Sequence, residues 1–365
     1  VQVSIVVEQC LAPVPGGTGR YAAEVATALA AVPGVAVTGW SAWHRGVRPG
    51  WLPGVQGPRR LPLGRRALVA AWERGLGPGL GAGADVVHAP TLLAPPRGRR
   101  PLVVTVHDTV PWTHPETLTP RGVRWHRAMA ARAAAHADAV VVPTHAVAAA
   151  LREHVRPRRV EVVGEGVSSA LGALPADADA RAAALGLPGG PFLASLATME
   201  PRKGLDVLVR ALADPAAPDL PLVVVGQAGW GGVDVHELAR EAGLAPDRLR
   251  VLGRIPDEDL ALVLARASLL VVPSRAEGFG LPVLEGMAAG VPVVTSDDPA
   301  LVEVGGDATV AVPVGDAAAL ARALGELAAD DAQRAGMVAA GRARAAGYTW
   351  AGAAASLLSL YEDLG

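Results

Sequence analysis

Residues 269–296 read LLVVPSRAEGFGLPVLEGMAAGVPVVTS. Two short Val/Leu runs, 269–273 and 291–295, bracket a loop and a helical segment at 282–289. Runs this short and this apolar suit strands of a parallel sheet covered on both faces. Pro282 stands where the first helical residue would be, a place where a missing N–H costs nothing. Gly278 and Gly280 leave the backbone bare enough to touch a ligand, and the helix N-terminus behind them favours an anion. Glu277 lies on the loop, and Glu285 lies one turn into the helix on the face of Leu281. Together the two carboxylates can flank one ligand as acceptors for its hydroxyls. A purely structural capping loop is the alternative, and it leaves both carboxylates unexplained.

The same alternation runs outward in both directions. Strands are expected at 1–7, 35–40, 85–89, 102–107, 138–143 and 159–163, with helices at 18–31, 64–74, 121–136 and 145–154. Residues 164–190, rich in Gly, Pro, Ala and Asp with weak periodicity, read as a linker. Strands then resume at 192–197, 221–226, 249–253, 269–273, 291–295 and 309–313. Helices are expected at 204–213, 233–243, 257–267, 282–289 and 316–329, and the tail 331–364 is helical in pattern. The chain is therefore α/β, with two doubly wound, Rossmann-like lobes facing a central cleft and ligands at the carboxyl ends of the strands. The expected division is 1–170 and 171–349, with a C-terminal helix at 350–365 packing back on the first lobe.

Composition narrows the classes. The 365 residues are 51% hydrophobic, yet Trp 8, Tyr 3 and Phe 2 leave the interior to Val, Leu and Ala. Isoleucine occurs only at Ile5 and Ile255, asparagine is absent, and of 33 basic residues only Lys203 is a lysine. Depletion of residues with AT-rich codons points to a high-GC, bacterial source, and it makes the surviving lysine a residue to examine first. One cysteine, Cys10, permits neither an intrachain disulfide nor a Cys-based zinc cluster. No apolar run reaches the roughly 20 residues of a membrane span and no basic leader opens the chain, so a soluble cytoplasmic protein is expected. Net charge is -2 overall, but residues 1–170 carry 19 Arg against 10 acidic residues. That split reads either as solvated surface and attraction between lobes or as a functional basic face.

Three further segments are candidates. Gly16-Gly17-Thr18-Gly19-Arg20 follows the first strand and opens a helix, where bare amides can approach a phosphate, although a plain tight turn reads equally well. Glu200-Pro201-Arg202-Lys203-Gly204 puts a planar fork and a point charge at a strand's carboxyl end, an arrangement suited to a diphosphate. His107-Asp108 ends the strand 102–107 and would face the cleft. The histidines form no H-E-x-x-H or comparable set, so no metal is assigned. Asp177-Ala178-Asp179 has the form of a D-x-D metal motif but lies in the linker and is taken as accidental.

These segments resemble the retaining glycosyltransferases of family 4, which have the GT-B fold. The resemblance is carried by GGTGRYAAEVATALA at 16–30, DVVHAPTLLAPP at 85–96, HDTVPWTHPETL at 107–118, ADAVVVPTHAV at 137–147, MEPRKGLDVLVRAL at 199–212, and above all the E-x7-E element from Glu277 to Glu285. It implies metal-independent transfer of a sugar from a nucleotide-diphosphate donor, with no other cofactor. By similarity, Glu285 binds the donor ribose and Glu277 the sugar hydroxyls. Gly278 and the amides of Phe279, Gly280 and Leu281 line sugar or phosphate. Lys203 and Arg202 hold the diphosphate, Gly17 approaches it, His107 lies near the reacting centre, and Arg254 and Ile255 border the base. Two positions depart from the pattern: Ala197 replaces an Arg common six residues before the lysine, and Glu165 replaces the Asn of an Asn-Gly-Val segment.

The HDTVPW and MEPRKG segments are most similar to mannosyltransferase-like members, which favours GDP-mannose; a UDP-hexose is the alternative. The acceptor, whether glycan, lipid-linked or small molecule, is not readable. Arg59, Arg60, Arg65, Arg66, Arg97, Arg99 and Arg100 suit peripheral contact with anionic membrane, and no nucleic-acid partner is expected. Rival readings are a nucleotide-sugar epimerase or hydrolase, a non-enzymatic sugar-binding protein, and a pyridoxal-phosphate enzyme using Lys203.

Overall fold

The computed structural model describes residues 1–45, 50–80, 83–168, 171 and 174–365. The chain forms two compact units, Val1–Gly166 with Thr349–Gly365, and Val167–Tyr348. The expected boundary at 170, and the linker positions 169–170 and 172–173, lie outside the described residues.

In the first unit β1 (Gln2–Val6) leads to α1 (Gly16–Ala30), then β2 (Ala36–Trp43), β3 (Gln56–Gly64), α2 (Arg65–Glu73), β4 (Val86–Ala89) and β5 (Leu102–Thr105). After these come α3 (Val110–Thr113), α4 (Pro120–His136), β6 (Ala139–Val142), α5 (His145–His154) and β7 (Val160–Val162). The seven strands form one sheet in the order β3-β2-β1-β4-β5-β6-β7, every described pairing parallel. β4, β5 and β6 are buried at every position, which is why their residues are almost all Val, Ala and Leu.

The strand β3 has no counterpart in the sequence reading. Its residues, QGPRRLPLG, are mostly exposed or half-buried. It lies at the sheet edge, where one side needs no ladder and proline is tolerated. α1 also begins two residues before the expected 18, so the glycine-rich segment is the first turn of the helix itself.

The second unit comprises α6 (Ala178–Leu185), β8 (Leu193–Leu196), α7 (Leu205–Ala213), β9 (Leu222–Val225), α8 (Val235–Glu241), β10 (Leu249–Gly253) and α9 (Asp257–Arg266). It continues through β11 (Leu269–Val272), α10 (Leu281–Ala289), β12 (Val293–Ser296), α11 (Pro299–Gly305), β13 (Thr309–Val312), α12 (Ala317–Ala329) and α13 (Asp331–Ala345). α14 (Trp350–Leu364) then belongs to the first unit. The sheet runs β10-β9-β8-β11-β12-β13, all parallel, with an apolar cluster on each face. Both sheets are Rossmann-like, as the alternation predicts. α6 occupies part of the expected linker, and there Asp177 and Asp179 pair with Arg181 and Arg266. Those two carboxylates are thus engaged with arginines.

Strand order matters for function because the order reverses between β8 and β11. Segments leaving the carboxyl ends of those two strands, 197–204 and 273–280, therefore emerge side by side. A crevice at such a switch point is where open α/β sheets take ligands.

Candidate active-site residues

Pro201–Lys203 is one tight 3-10 turn after β8, closed by Gly204 at φ 65°. It delivers two cations to one carboxylate. Lys203 Nζ donates to Glu277 Oε1 at 2.6 Å and Arg202 Nη1 to Glu277 Oε2 at 2.8 Å. Ser274 Oγ donates to Oε1 at 2.7 Å, and Arg202 also holds the Ala276 carbonyl at 2.8 Å. Arg275 braces the turn from behind, forking onto Asp206 at 2.7 and 2.7 Å and reaching the Pro201 carbonyl at 2.9 Å.

The electrostatics follow from this crowding. Burial pushes the Glu277 pKa up, but the Lys203 and Arg202 charges outweigh it and hold the group down at about 2. Burial, then the neighbouring Arg202 charge, lowers the Lys203 ammonium against the pull of Glu277. Burial lifts Asp298 to about 6 despite the Leu301 N–H, with the Glu277 charge adding to the rise. Asp298 connects two functions: Oδ1 caps α11 through the amides of Ala300 and Leu301 at 3.0 and 3.2 Å, and Oδ2 accepts from the Glu277 amide at 3.3 Å.

A pH prediction follows with a definite sign. A carboxyl held below its unfolded value of 4.5 stabilises the fold fully above that pH, and the gain fades as pH falls toward about 2. The contribution is on the order of 3 kcal/mol. Asp298 works in the opposite direction from about 6 downward. Denaturant melts of wild type and Glu277→Gln between pH 6 and pH 3 should therefore differ in slope, wild type losing more stability on acidification. Parallel curves would remove the Glu277 contribution.

Other expected donor residues lie in the same unit. Gly280, at φ 97°, opens α10 without a side-chain cap, and a Cβ there would stand 2.4 Å from Leu301 Cδ2. Glu285 is buried one turn into α10. Phe279 has its ring in the core, edge-on to Tyr348 at 5.7 Å, so it offers a ligand its backbone rather than its ring. Gly278 is buried on the loop and Leu281, the first residue of α10, is half-buried. Arg254 is exposed and Ile255 half-buried just past β10, with β9 between that strand and β8. Ala197 is buried, its amide donating to the Val225 carbonyl.

His107 and Gly17 belong to the first unit. Gly17 is exposed in the first turn of α1. His107 Nε2 lies 2.8 Å from the Pro90 carbonyl oxygen, and Nδ1 lies 3.7 Å from Glu165 Oε1. Burial lowers its pKa, yet the neighbouring Glu165 carboxylate, with the Pro90 carbonyl and the Asp108 charge, brings the group above its ordinary value. Asp108 itself accepts from the Val110 amide at 3.1 Å.

Ser274, Asp298 and Arg275 were not singled out from sequence. Asp298 was within reach, because Asp-Pro followed by an apolar run is a helix-start signal. Among the described residues no group of three or more His, Cys, Asp or Glu is placed to hold a metal ion, and no helix is long and apolar enough to cross a membrane.

Residues 15–171 match the model of Glycosyltransferase Family 4 and residues 178–344 that of Glycosyl transferases group 1. The O-antigen chain mannosyltransferase B of Escherichia coli is 36% identical over 172 residues, 46% of this chain and 45% of that protein. A D-inositol 3-phosphate glycosyltransferase of Stackebrandtia nassauensis is 35% identical over 244 residues, 63% of this chain and 55% of that one. The phosphatidyl-myo-inositol mannosyltransferase of Mycolicibacterium smegmatis is 39% identical over 170 residues, 45% and 43% of the two chains. The chain thus spans about half the length of the curated relatives it matches. In fold it is similar to sucrose-phosphate synthase from Thermosynechococcus elongatus, with TM-score 0.79, 24% identity, and 100% and 98% of the chains covered. It is also similar to Anabaena HepE in complex with UDP-glucose, at TM-score 0.75, 20% identity and full coverage of both chains. Two family models that between them take in residues 15–171 and 178–344, with the segments carrying Gly17, His107, Lys203 and Glu277, lead to one assignment: the chain belongs to the group 1, family 4 glycosyltransferases.

Proposed function

We propose that the protein is a retaining, metal-independent glycosyltransferase that moves a hexose from a nucleotide-diphosphate sugar to a hydroxyl acceptor. The observation that carries this is the Lys203–Arg202–Glu277 cluster at the β8/β11 switch point. In the reaction the bond from sugar C1 to the diphosphate oxygen breaks, and its electron pair goes to the phosphate. The acceptor oxygen bonds to C1 on the same face, and the acceptor proton passes to the departing phosphate. Lys203 and Arg202 are fixed cations for the charge that develops there, and preorganised charge of this kind supplies much of the rate in such steps. Glu277, ionised and pinned by three donors, is a poor nucleophile and serves as an acceptor for sugar hydroxyls. In this reading the second unit takes the donor, with Glu285 on the ribose and Arg254 and Ile255 near the base. The first unit, which carries Gly17 and His107, takes the acceptor.

Mannose from GDP-mannose is the favoured donor, supported by similarity to two mannosyltransferases. A UDP-hexose is the second reading, favoured by the UDP-glucose bound to HepE in a neighbouring fold. Thermal melts with GDP, UDP, ADP and dTDP, each with and without EDTA, decide between them. A ligand that binds only the folded state raises Tm, so one nucleotide should stand out and EDTA should leave its shift unchanged. No shift with any nucleotide would overturn the donor reading.

A lipid-surface role for the first unit belongs to the same proposal. Arg59 and Arg60 on β3 and Arg65 and Arg66 at the start of α2 lie on the unit that also exposes Trp43 and Trp51. Basic and aromatic side chains together suit the anionic face of a membrane, which would place the protein at the cytoplasmic surface.

A further inference from the structure

We infer that Glu165 holds the His107 side chain as an imidazolium at neutral pH, which makes Glu165 a positioning residue for that histidine. A carbonyl oxygen carries no proton, so the 2.8 Å contact with Pro90 requires a hydrogen on Nε2. The other ring nitrogen faces the carboxylate of Glu165 at 3.7 Å. A neutral ring would then aim its Nδ1 lone pair at an anion. Protonating Nδ1 turns that repulsion into an ion pair, and both partners are shielded, His107 at 13% and Glu165 at 5% side-chain exposure.

The titratable groups beside the ring permit the charge. Asp108, from the ring's own loop, adds a favourable anion. Tyr21, from α1, meets the ring edge-on at 4.7 Å, and burial keeps its phenol neutral. His88, from β4, is fully buried; it bonds Thr105 at 2.9 Å and Tyr361 of α14 at 2.6 Å. Burial and the His107 charge together push the His88 pKa down to about 3, so it adds no second cation. The backbone beside Glu165 runs tight against the start of α14: a Cβ on Gly166 would stand 2.2 Å from the Trp350 amide nitrogen.

The charge state rests first on the Pro90 and Glu165 contacts; its use in catalysis rests on the transferase reading. With both nitrogens engaged, His107 acts through a fixed positive charge and not as the base that takes the acceptor proton.

The test is nitrogen-15 NMR of histidine side chains in the 365-residue chain, with His107→Gln identifying the signals. In wild type at pH 7.5 both His107 ring nitrogens should show the protonated pattern. In Glu165→Gln the titration should move down by at least about one pH unit, and Glu165→Asp should restore most of it. In transfer assays Glu165→Gln should lose kcat above pH 6.5 with donor KM unchanged within about twofold. A neutral His107 in wild type at pH 7.5, or identical titrations in wild type and Glu165→Gln, overturns the inference. If Glu165→Gln fails to fold, the wild-type spectrum alone decides. An imidazolium in a protein that transfers no sugar upholds the inference and overturns the transferase reading instead.

Discussion

Replacing Lys203 by alanine should cut turnover at saturating donor by about 10²–10³-fold, the usual cost of removing one preorganised group from a developing oxyanion. The fold should survive. In the free protein Glu277 is shared by two cations at 2.6 and 2.8 Å, with Ser274 as a third donor. Taking Lys203 away leaves an Arg202–Glu277 pair whose charges still balance. The 3–5 kcal/mol that follows from stranding a buried charge, by the general rule, is therefore not expected here; about 1 kcal/mol for one lost charge-assisted bond is. No compensating arginine stands at Ala197, whose buried methyl belongs to the core. Lys203→Arg should recover only part of the rate, because a planar fork cannot occupy a place shaped for a point charge. Turnover, donor KM and melting temperature for the three proteins check this. Near-native turnover in Lys203→Ala would overturn the site assignment. A large loss of Tm would make the lysine structural.

What the sequence could and could not reveal follows from the range of the interactions involved. β5, β6, β11 and β12 were readable because burial on both faces leaves little choice but Val, Leu and Ala. β3 was not, because an edge strand answers to only one neighbour and can carry Pro58, Arg59, Arg60 and Pro62. α6 was hidden by alanine: its Ala-rich turn buries only Ala182, so it carries no apolar stripe to read. The candidate site divides in the same way. Lys203, Glu277 and His107 could be named one by one, since each ends a strand or lies on a loop after one. Their bonds could not be named. Lys203 meets Glu277 across 74 residues because β8 neighbours β11, and nothing local in either segment encodes that order. Glu165 illustrates the same point, since its departure from the family pattern was visible while its partner, at the end of a strand two places away in the sheet, was not.

Gly204→Ala should destabilise the protein by more than about 3 kcal/mol and abolish nucleotide binding, although the substitution adds one methyl and removes no charge. Gly204 sits at φ +65°, where a side chain is strained by about 1–2 kcal/mol. Space adds the larger part. A Cβ built there stands 2.0 Å from the carbonyl oxygen of Pro273, which is backbone and cannot rotate away. Relieving that contact means moving the turn away from the end of β11 by more than 1 Å. The 2.6 Å bond from Lys203 to Glu277 spans the same gap, so the methyl would separate the cations from the carboxylate they grip. Gly243→Ala supplies the control, since Gly243 has φ +75° with nothing within 4 Å of its Cβ. It should lose only the backbone term, about 1 kcal/mol, and keep nucleotide binding. Urea unfolding of both variants, with nucleotide melts alongside, separates strain from collision. Equal losses in the two would mean that Pro273 yields, and that the close docking of the cation turn on β11 is not what sets the site's geometry.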